Sequence, residues 1–148
     1  MAITDLDSIF RAGEPWPPVS EAARLQAYER YSRLYEGDHD AVFKDLNPKD
    51  APHIDMALNW PKRVCTLVAD LLWGETPRFE ASKGQEALDR ILEANRFHLV
   101  SYDCTVDLVK YGTGLFKIRF DQHGIIEVID PRLWFPVCNP DNAAEVTA

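Results

Sequence analysis

Several groups of residues have types that could do chemistry, and their spacing decides how far each can go. His98, Ser101 and Asp103 supply a base, a hydroxyl and a carboxylate in one short stretch. Nucleophilic catalysis needs the base within hydrogen-bond reach of the nucleophile, and a third group orienting the base. At helical spacing His98 and Ser101 share a face, whereas Asp103 stands too close in sequence to Ser101 to share it. No Gly-x-Ser-x-Gly elbow presents a serine at a strand-to-helix turn. The stretch reads better as the first turns of a helix.

Gly112-Thr113-Gly114 has the composition of a phosphate-binding loop but the wrong direction. Such loops run from a strand into a helix, so that the helix N-terminus faces the anion. Here an apolar helix pattern precedes the glycines and a strand pattern follows, which is the order of a helix cap and a turn. His39, His53, His98 and His123 fall on separate segments with no His-x-x-x-His pair. Asp38-His39-Asp40 is a fragment of a hard-metal site, and oxygen-ligand sites need more donors than it offers. Cys65, Cys104 and Cys138 are odd in number and far apart, without zinc or redox spacing. Asp103 and Asp107 stand at i, i+4, where paired like charges are ordinarily a solvated helix face. The expectation is a protein with no catalytic residues, no cofactor and no metal.

Charge narrows the partners. The net charge is −8 over 148 residues. It is spread evenly, with six basic and eleven acidic residues over 1–60, and ten basic and thirteen acidic over 61–148. Gripping a phosphate backbone takes clustered Lys and Arg, so sequence-specific DNA binding is not expected, whereas DNA sliding past such a surface is compatible with it. No apolar run approaches the roughly 20 residues of a membrane span. The N-terminus carries Asp5 and Asp7 where a secretory signal carries Lys or Arg, so a cytoplasmic start is expected.

The elements that must position these residues follow from periodicity and punctuation. Asp5 to Gly13 reads as a short helix, stopped by Gly13 and Pro15-Trp16-Pro17-Pro18. Ser20 then offers an N-cap for a helix to about Tyr35, with Leu25, Tyr28, Tyr31 and Tyr35 on one flank and Arg24, Arg30 and Arg33 on the wet one. Residues 36–52 read as an irregular connection, with an ordered piece at Ala41-Val42-Phe43. Asn59 caps a helix with Pro61 in its first turn. Its core-facing stripe is Val64, Val68, Leu71 and Leu72, with Cys65 beside it, and Gly74 closes it in a left-handed conformation. A short strand is expected at Arg78-Phe79-Glu80-Ala81.

Helices over Gln85–Asn95 and Leu99–Tyr111 come next, and Gly112 and Gly114 end the second. Leu115–Phe120 alternates apolar and basic residues as a half-buried strand does. A turn at residues 121–124 returns it through Ile125–Ile129 as a hairpin. Asp130-Pro131-Arg132-Leu133-Trp134-Phe135-Pro136 is an aromatic, proline-punctuated continuation. The last residues, 139–148, form no clean ending, and the chain is expected to be truncated.

Large rings are numerous for such a chain. Trp60 and Trp73 are expected in the core. Trp16 and Trp134, in proline-rich segments, divide evenly between core and subunit contact, where aromatics are enriched. The expected interface is Trp16, Tyr28, Tyr31, Tyr35, Trp134 and Phe135.

The order of segments carries more than any single residue. Tyr31-Ser32-Arg33-Leu34-Tyr35-Glu36-Gly37-Asp38-His39 resembles the opening of the phage portal, or head-to-tail connector, family. So does Asn59-Trp60-Pro61-Lys62-Arg63-Val64, leading to Leu71-Leu72-Trp73-Gly74-Glu75-Thr76-Pro77. Tyr111-Gly112-Thr113-Gly114-Leu115-Phe116-Lys117-Ile118 is similar to the family's Tyr-Gly-x-Gly approach to a hairpin, and Ile129-Asp130-Pro131-Arg132 with Phe135-Pro136 to its exit. The likeness covers most of residues 25–140.

The resemblance implies a homo-oligomeric ring, typically dodecameric, at one capsid vertex. Double-stranded DNA is pumped through it by a terminase motor, which is the ATPase, and leaves through it into the tail. It also implies contacts with capsid and head-completion proteins, no membrane, and a place in the virion after assembly in the host cytoplasm. The family's N-terminal region belongs mainly to the outer wing. This sequence is several-fold shorter than the family and lacks the segments for stem, clip and crown.

The expected architecture is therefore α+β: a mainly helical, wing-like module with a C-terminal β-hairpin. It occupies residues 1–148 as a single domain, with residues 1–19 as an N-terminal arm, and it has no enzymatic role. The rival reading is a stand-alone protein-interaction module of phage or prophage origin.

Overall fold

A computed structural model describes residues 15–38, 58–136, 138–139 and 142–146. Among these residues, four α-helices come first: α1 (Ala22–Glu36), α2 (Trp60–Trp73), α3 (Gln85–Ala94) and α4 (Phe97–Tyr111). An antiparallel hairpin of β1 (Phe116–Asp121) and β2 (His123–Val128) follows, then a small pair, β3 (Cys138–Asn139) and β4 (Asn142–Val146). The architecture is α+β, mainly helical with hairpins toward the C-terminus, as the sequence predicts. The expected helix over residues 5–13 and the ordered piece at 41–43 lie outside the described residues.

Local chemistry explains most boundaries. The Asn59 side chain accepts the Lys62 N–H at 3.1 Å and Pro61 sits in the first turn of α2, as expected. Ser20 does not cap α1. It lies inside a 3₁₀ turn, Val19–Glu21, which the Pro18 carbonyl closes by accepting the Glu21 N–H, so the α-helix starts later. Gly37 (φ 85°) ends α1 in the left-handed region, where the Gly37 and Asp38 N–H groups reach the Leu34 and Arg33 carbonyls.

Gly74, in contrast, is right-handed (φ −62°) and does not form the expected left-handed closure. Glycine is needed there for space, because a Cβ would lie 2.7 Å from the Asp70 carbonyl oxygen. Residues 78–81 form no strand. The Gln85 amide accepts the Ala81 N–H and donates to the Phe79 carbonyl, satisfying backbone groups that a strand would give to a neighbour.

α4 begins two residues before the expected Leu99. Arg96, held at φ 47°, turns the chain at once from α3, and its carbonyl accepts the Leu99 and Val100 N–H groups. Gln122, at φ 52°, makes a tighter hairpin turn than expected, with Asp121 paired to His123 and Phe116 to Val128.

The helix phases bring the largest correction. α2 and α4 meet through small side chains: Cys65 and Ala69 on one, Ser101, Cys104 and Thr105 on the other, all buried. Their spacing of three and four residues lines each seam along one face. Three of the four residues of the expected core stripe of α2 are thereby turned outward, and Val68 is half-buried. Val64, Leu71 and Leu72 are exposed, and so is Trp60, which the sequence predicts in the core. Among the described residues no Leu, Ile or Val is fully buried; the buried apolar side chains are Tyr28, Cys65, Ala69, Cys104, Tyr111 and Pro131. Nor is β1 half-buried, since all six of its residues are exposed. β2 packs on α3 and α4, whereas β1 meets the helices chiefly through Phe116, which stacks on Phe97.

Candidate assembly surface

One aromatic cluster forms where the segment after the hairpin returns to α1. Arg24 sits at its centre and is not on a wet flank. It donates to the Pro131 carbonyl at 3.0 Å and the Trp134 carbonyl at 2.8 Å, and Glu21 pairs with it. Its guanidinium lies 5.2 Å from the Tyr28 ring centre and 5.5 Å from that of Phe135. The Phe135 ring also meets Trp16 edge-on at 4.7 Å. The Tyr28 and Phe135 rings thus flank one cation, Trp134 meets it through its carbonyl, and Trp16 joins the cluster through Phe135. Trp16 remains 58% exposed, Trp134 and Phe135 are half-buried, and Tyr28 is buried, its hydroxyl 3.0 Å from Thr113 Oγ1.

Tyr31 and Tyr35 belong to a second place. With Trp60, Val64 and Val109 they line an open groove of about 410 Å³ between α1, α2 and α4. Lys62 and Lys110 stand 5.4 and 4.8 Å from the Tyr35 ring centre. Burial raises the Tyr35 phenol pKa, so the ring stays neutral and keeps its hydrogen. The six expected interface residues therefore divide between two patches.

A third feature escaped sequence reading. Trp60, Val64, Leu67 and Leu71 follow one another at spacings of four, three and four along α2, and all four are exposed. That spacing makes an apolar stripe along one face of the helix. The signal was present in the small residues Cys65 and Ala69, because a helix that buries its small face presents its large one.

The chemical clusters gain nothing from the fold. Ser101 is 1% exposed, and its Oγ has no hydrogen-bond partner, so no substrate reaches it; His98 is exposed on the same helix. Burial pushes both the Cys65 and Cys104 thiols up, away from the reactive thiolate. Burial likewise raises Asp107, while Asp103 is exposed. Gly112 (φ 76°) caps α4, and a Cβ on Gly114 would come within 2.9 Å of the Cys104 carbonyl, so the glycine pair is a turn packed against its own helix. Among the described residues no three His, Cys, Asp or Glu side chains converge on a metal-sized site, and no helix is long and apolar enough to cross a membrane. His39 and His53 lie outside the described residues.

The described residues thus form a helical α+β module with small residues along the α2–α4 seam and large apolar ones on the outside of α2. Residues 20–148 match the family described as "Phage portal protein, SPP1 Gp6-like", and the chain belongs to that family. Its setting is accordingly the phage capsid, DNA packaging and the head–tail connection, and the family is a structural one. No curated protein and no solved structure matches the chain.

Proposed function

We propose that this chain is part of a structural subunit of a portal ring at the capsid vertex, through which double-stranded DNA is packaged and ejected. Residues 1–148 supply the N-terminal, wing-like portion as one domain, with residues 1–19 as an arm. Ring contacts are made by the exposed aromatics Trp16, Tyr31, Tyr35, Trp134 and Phe135 and by the outer stripe of α2. Tyr28 supports the first cluster from inside. Terminase, head-completion and capsid proteins are the partners. The chain carries no catalysis of its own, and its acidic surface lets DNA slide instead of holding it. In the virion the ring occupies the portal vertex.

The observation that carries this reading is the family match across residues 20–148. The outward apolar stripe of α2 supports it, because large exposed apolar patches mark contact surfaces. The test is to express the whole open reading frame that contains this sequence and image the particles by negative-stain electron microscopy. Closed rings with a central channel are expected. Leu67→Glu with Leu71→Glu is expected to give dispersed subunits with an unchanged circular dichroism spectrum. A wild-type protein that remains monomeric at every concentration would overturn the ring assignment.

A further inference from the structure

Among the described residues, β1 is a sheet edge with no strand beside it. The sheet has two strands, and the outer side of the other one, β2, is already occupied. Asn95, at the end of α3, donates to the Gly124 carbonyl at 2.8 Å and accepts the Ile126 N–H at 2.9 Å. Its amide thus stands in for a third strand.

These bonds fix the phase of the whole hairpin. In an antiparallel ladder, residues alternate between pairs that bond to each other and pairs whose backbone groups point outward. Gly124 and Ile126 point outward to Asn95, so their partners Phe120 and Ile118 also point outward, from the opposite edge. The Ile129 N–H reaching the Leu115 carbonyl fits the same alternation. Phe116, Ile118 and Phe120 therefore offer a row of N–H and C=O groups along the free edge of β1. Their side chains lie on one face and are exposed, at 75% for Ile118 and 79% for Phe120. Phe116 continues that face inward by stacking on Phe97 at 5.9 Å. The other face of the strand carries Lys117 and Arg119, of which Arg119 also pairs with Glu127 on β2 at 3.3 Å.

A long, flat apolar edge invites strand addition unless something covers it. We propose that the free edge of β1 is a strand-addition site for an extended segment of a partner polypeptide in which apolar and acidic residues alternate. Backbone groups supply the pairing, and alternate side chains supply the choice of partner. The apolar residues extend the Phe116–Ile118–Phe120 face, and the acidic ones lie beside Lys117 and Arg119.

A second copy of the hairpin fits poorly. Pairing β1 with β1 of a copy sets like charges opposite one another in each of the most overlapping antiparallel registers: Lys117 on Arg119, Lys117 on Lys117, or Arg119 on Arg119. Pairing β1 with the β2 edge of a copy requires displacing Asn95. Both the charges and the plugged edge favour an acidic strand from a different source. This inference stands apart from the ring reading, because it rests only on the hairpin.

The test uses the 148-residue chain and two synthetic peptides, one alternating Val with Glu and one alternating Val with Lys. Fluorescence anisotropy measures binding, and amide hydrogen exchange maps it. The acidic peptide is expected to bind at least tenfold more tightly than the basic one and to slow exchange at Phe116, Ile118 and Phe120. Ile118→Pro removes an outward N–H and none of the hairpin's own bonds, so it is expected to weaken binding at least tenfold. Lys117→Glu combined with Arg119→Glu is expected to reverse the preference between the peptides. That charge swap keeps the proposal falsifiable if the proline variant fails to fold. Absence of binding, an unchanged preference after the swap, or protection that appears with protein concentration alone would each overturn it; the last would make the occupant a second copy.

Discussion

Asn59 Nδ2 donates to the Tyr35 carbonyl at 2.8 Å, tying the C-terminal turn of α1 to the first turn of α2. The same side chain caps α2 through Oδ1, so one residue satisfies orphan backbone groups at two helix ends. Asn59→Ala is expected to cost about 1–2 kcal/mol, more than a cap alone, and Asn59→Asp to recover the capping part only. Urea unfolding of the three proteins checks this. A smaller loss for Ala than for Asp would refute the double role.

Arg24 is the link between α1 and residues 131–135. Lysine cannot hold two diverging carbonyls in a planar fork, so Arg24→Lys is expected to behave almost like Arg24→Ala. Each loses about 2 kcal/mol, with the damage local to the aromatic cluster. Limited proteolysis reads it directly: cleavage after residue 130 accelerates in both variants, while α2–α4 remain intact.

The Trp73 indole donates to Thr105 Oγ1 at 2.7 Å, and that hydroxyl donates on to the Ser101 carbonyl at 2.9 Å. A double-mutant cycle with Trp73→Phe and Thr105→Val is expected to give a coupling of about 1 kcal/mol. Additive losses would mean that the two side chains contribute only by packing.

Two carboxyls set opposite pH slopes. The hydrogen bond from Arg132 holds the Asp130 carboxyl below its usual range, so its stabilising contribution is complete above the unfolded value of about 3.9 and is lost as pH falls through the folded value. Burial raises Asp107, outweighing the nearby Lys110 and Arg132 and assisted by Asp130 and Asp103. Its ionisation therefore opposes folding at neutral pH, and that penalty fades as pH falls through its raised folded value. Asp107→Asn is expected to raise the melting temperature at pH 7, and Asp130→Asn to lower it. Thermal melts from pH 3 to 8 separate the two. An Asp107→Asn protein less stable than wild type at pH 7 contradicts the burial argument.

Boundaries governed by local bonding are legible in the sequence; phases governed by packing are not. Asn59 and Pro61 act within one helical turn, so their types reveal the start of α2. Gly112 likewise ends α4 through its own φ. The inward face of α2 depends instead on what α4 offers, and α4 offers Ser101, Cys104 and Thr105. Periodicity marks an apolar stripe without saying whether it meets the same chain or another. That is why the sequence pattern points Leu71 and Leu72 inward and half-buries Ile118, whereas the fold exposes all three. Of the expected contact residues, Tyr28 and Phe135 flank Arg24, whose type alone suggests solvent, Trp134 holds it through its carbonyl, and Trp16 packs on Phe135.

The close seam between α2 and α4 has a thermodynamic corollary. Cys65, Ala69, Ser101, Cys104 and Thr105 remove little apolar area from water, whereas Trp60, Leu67 and Leu71 keep much of theirs in it. A partner that covered those side chains would bind the folded state alone, and mass action would then shift the folding equilibrium by an amount that grows with its concentration. With such a partner present, stability would be a property of the mixture as well as of the molecule, and a melting temperature would describe this chain only together with the concentration of that neighbour.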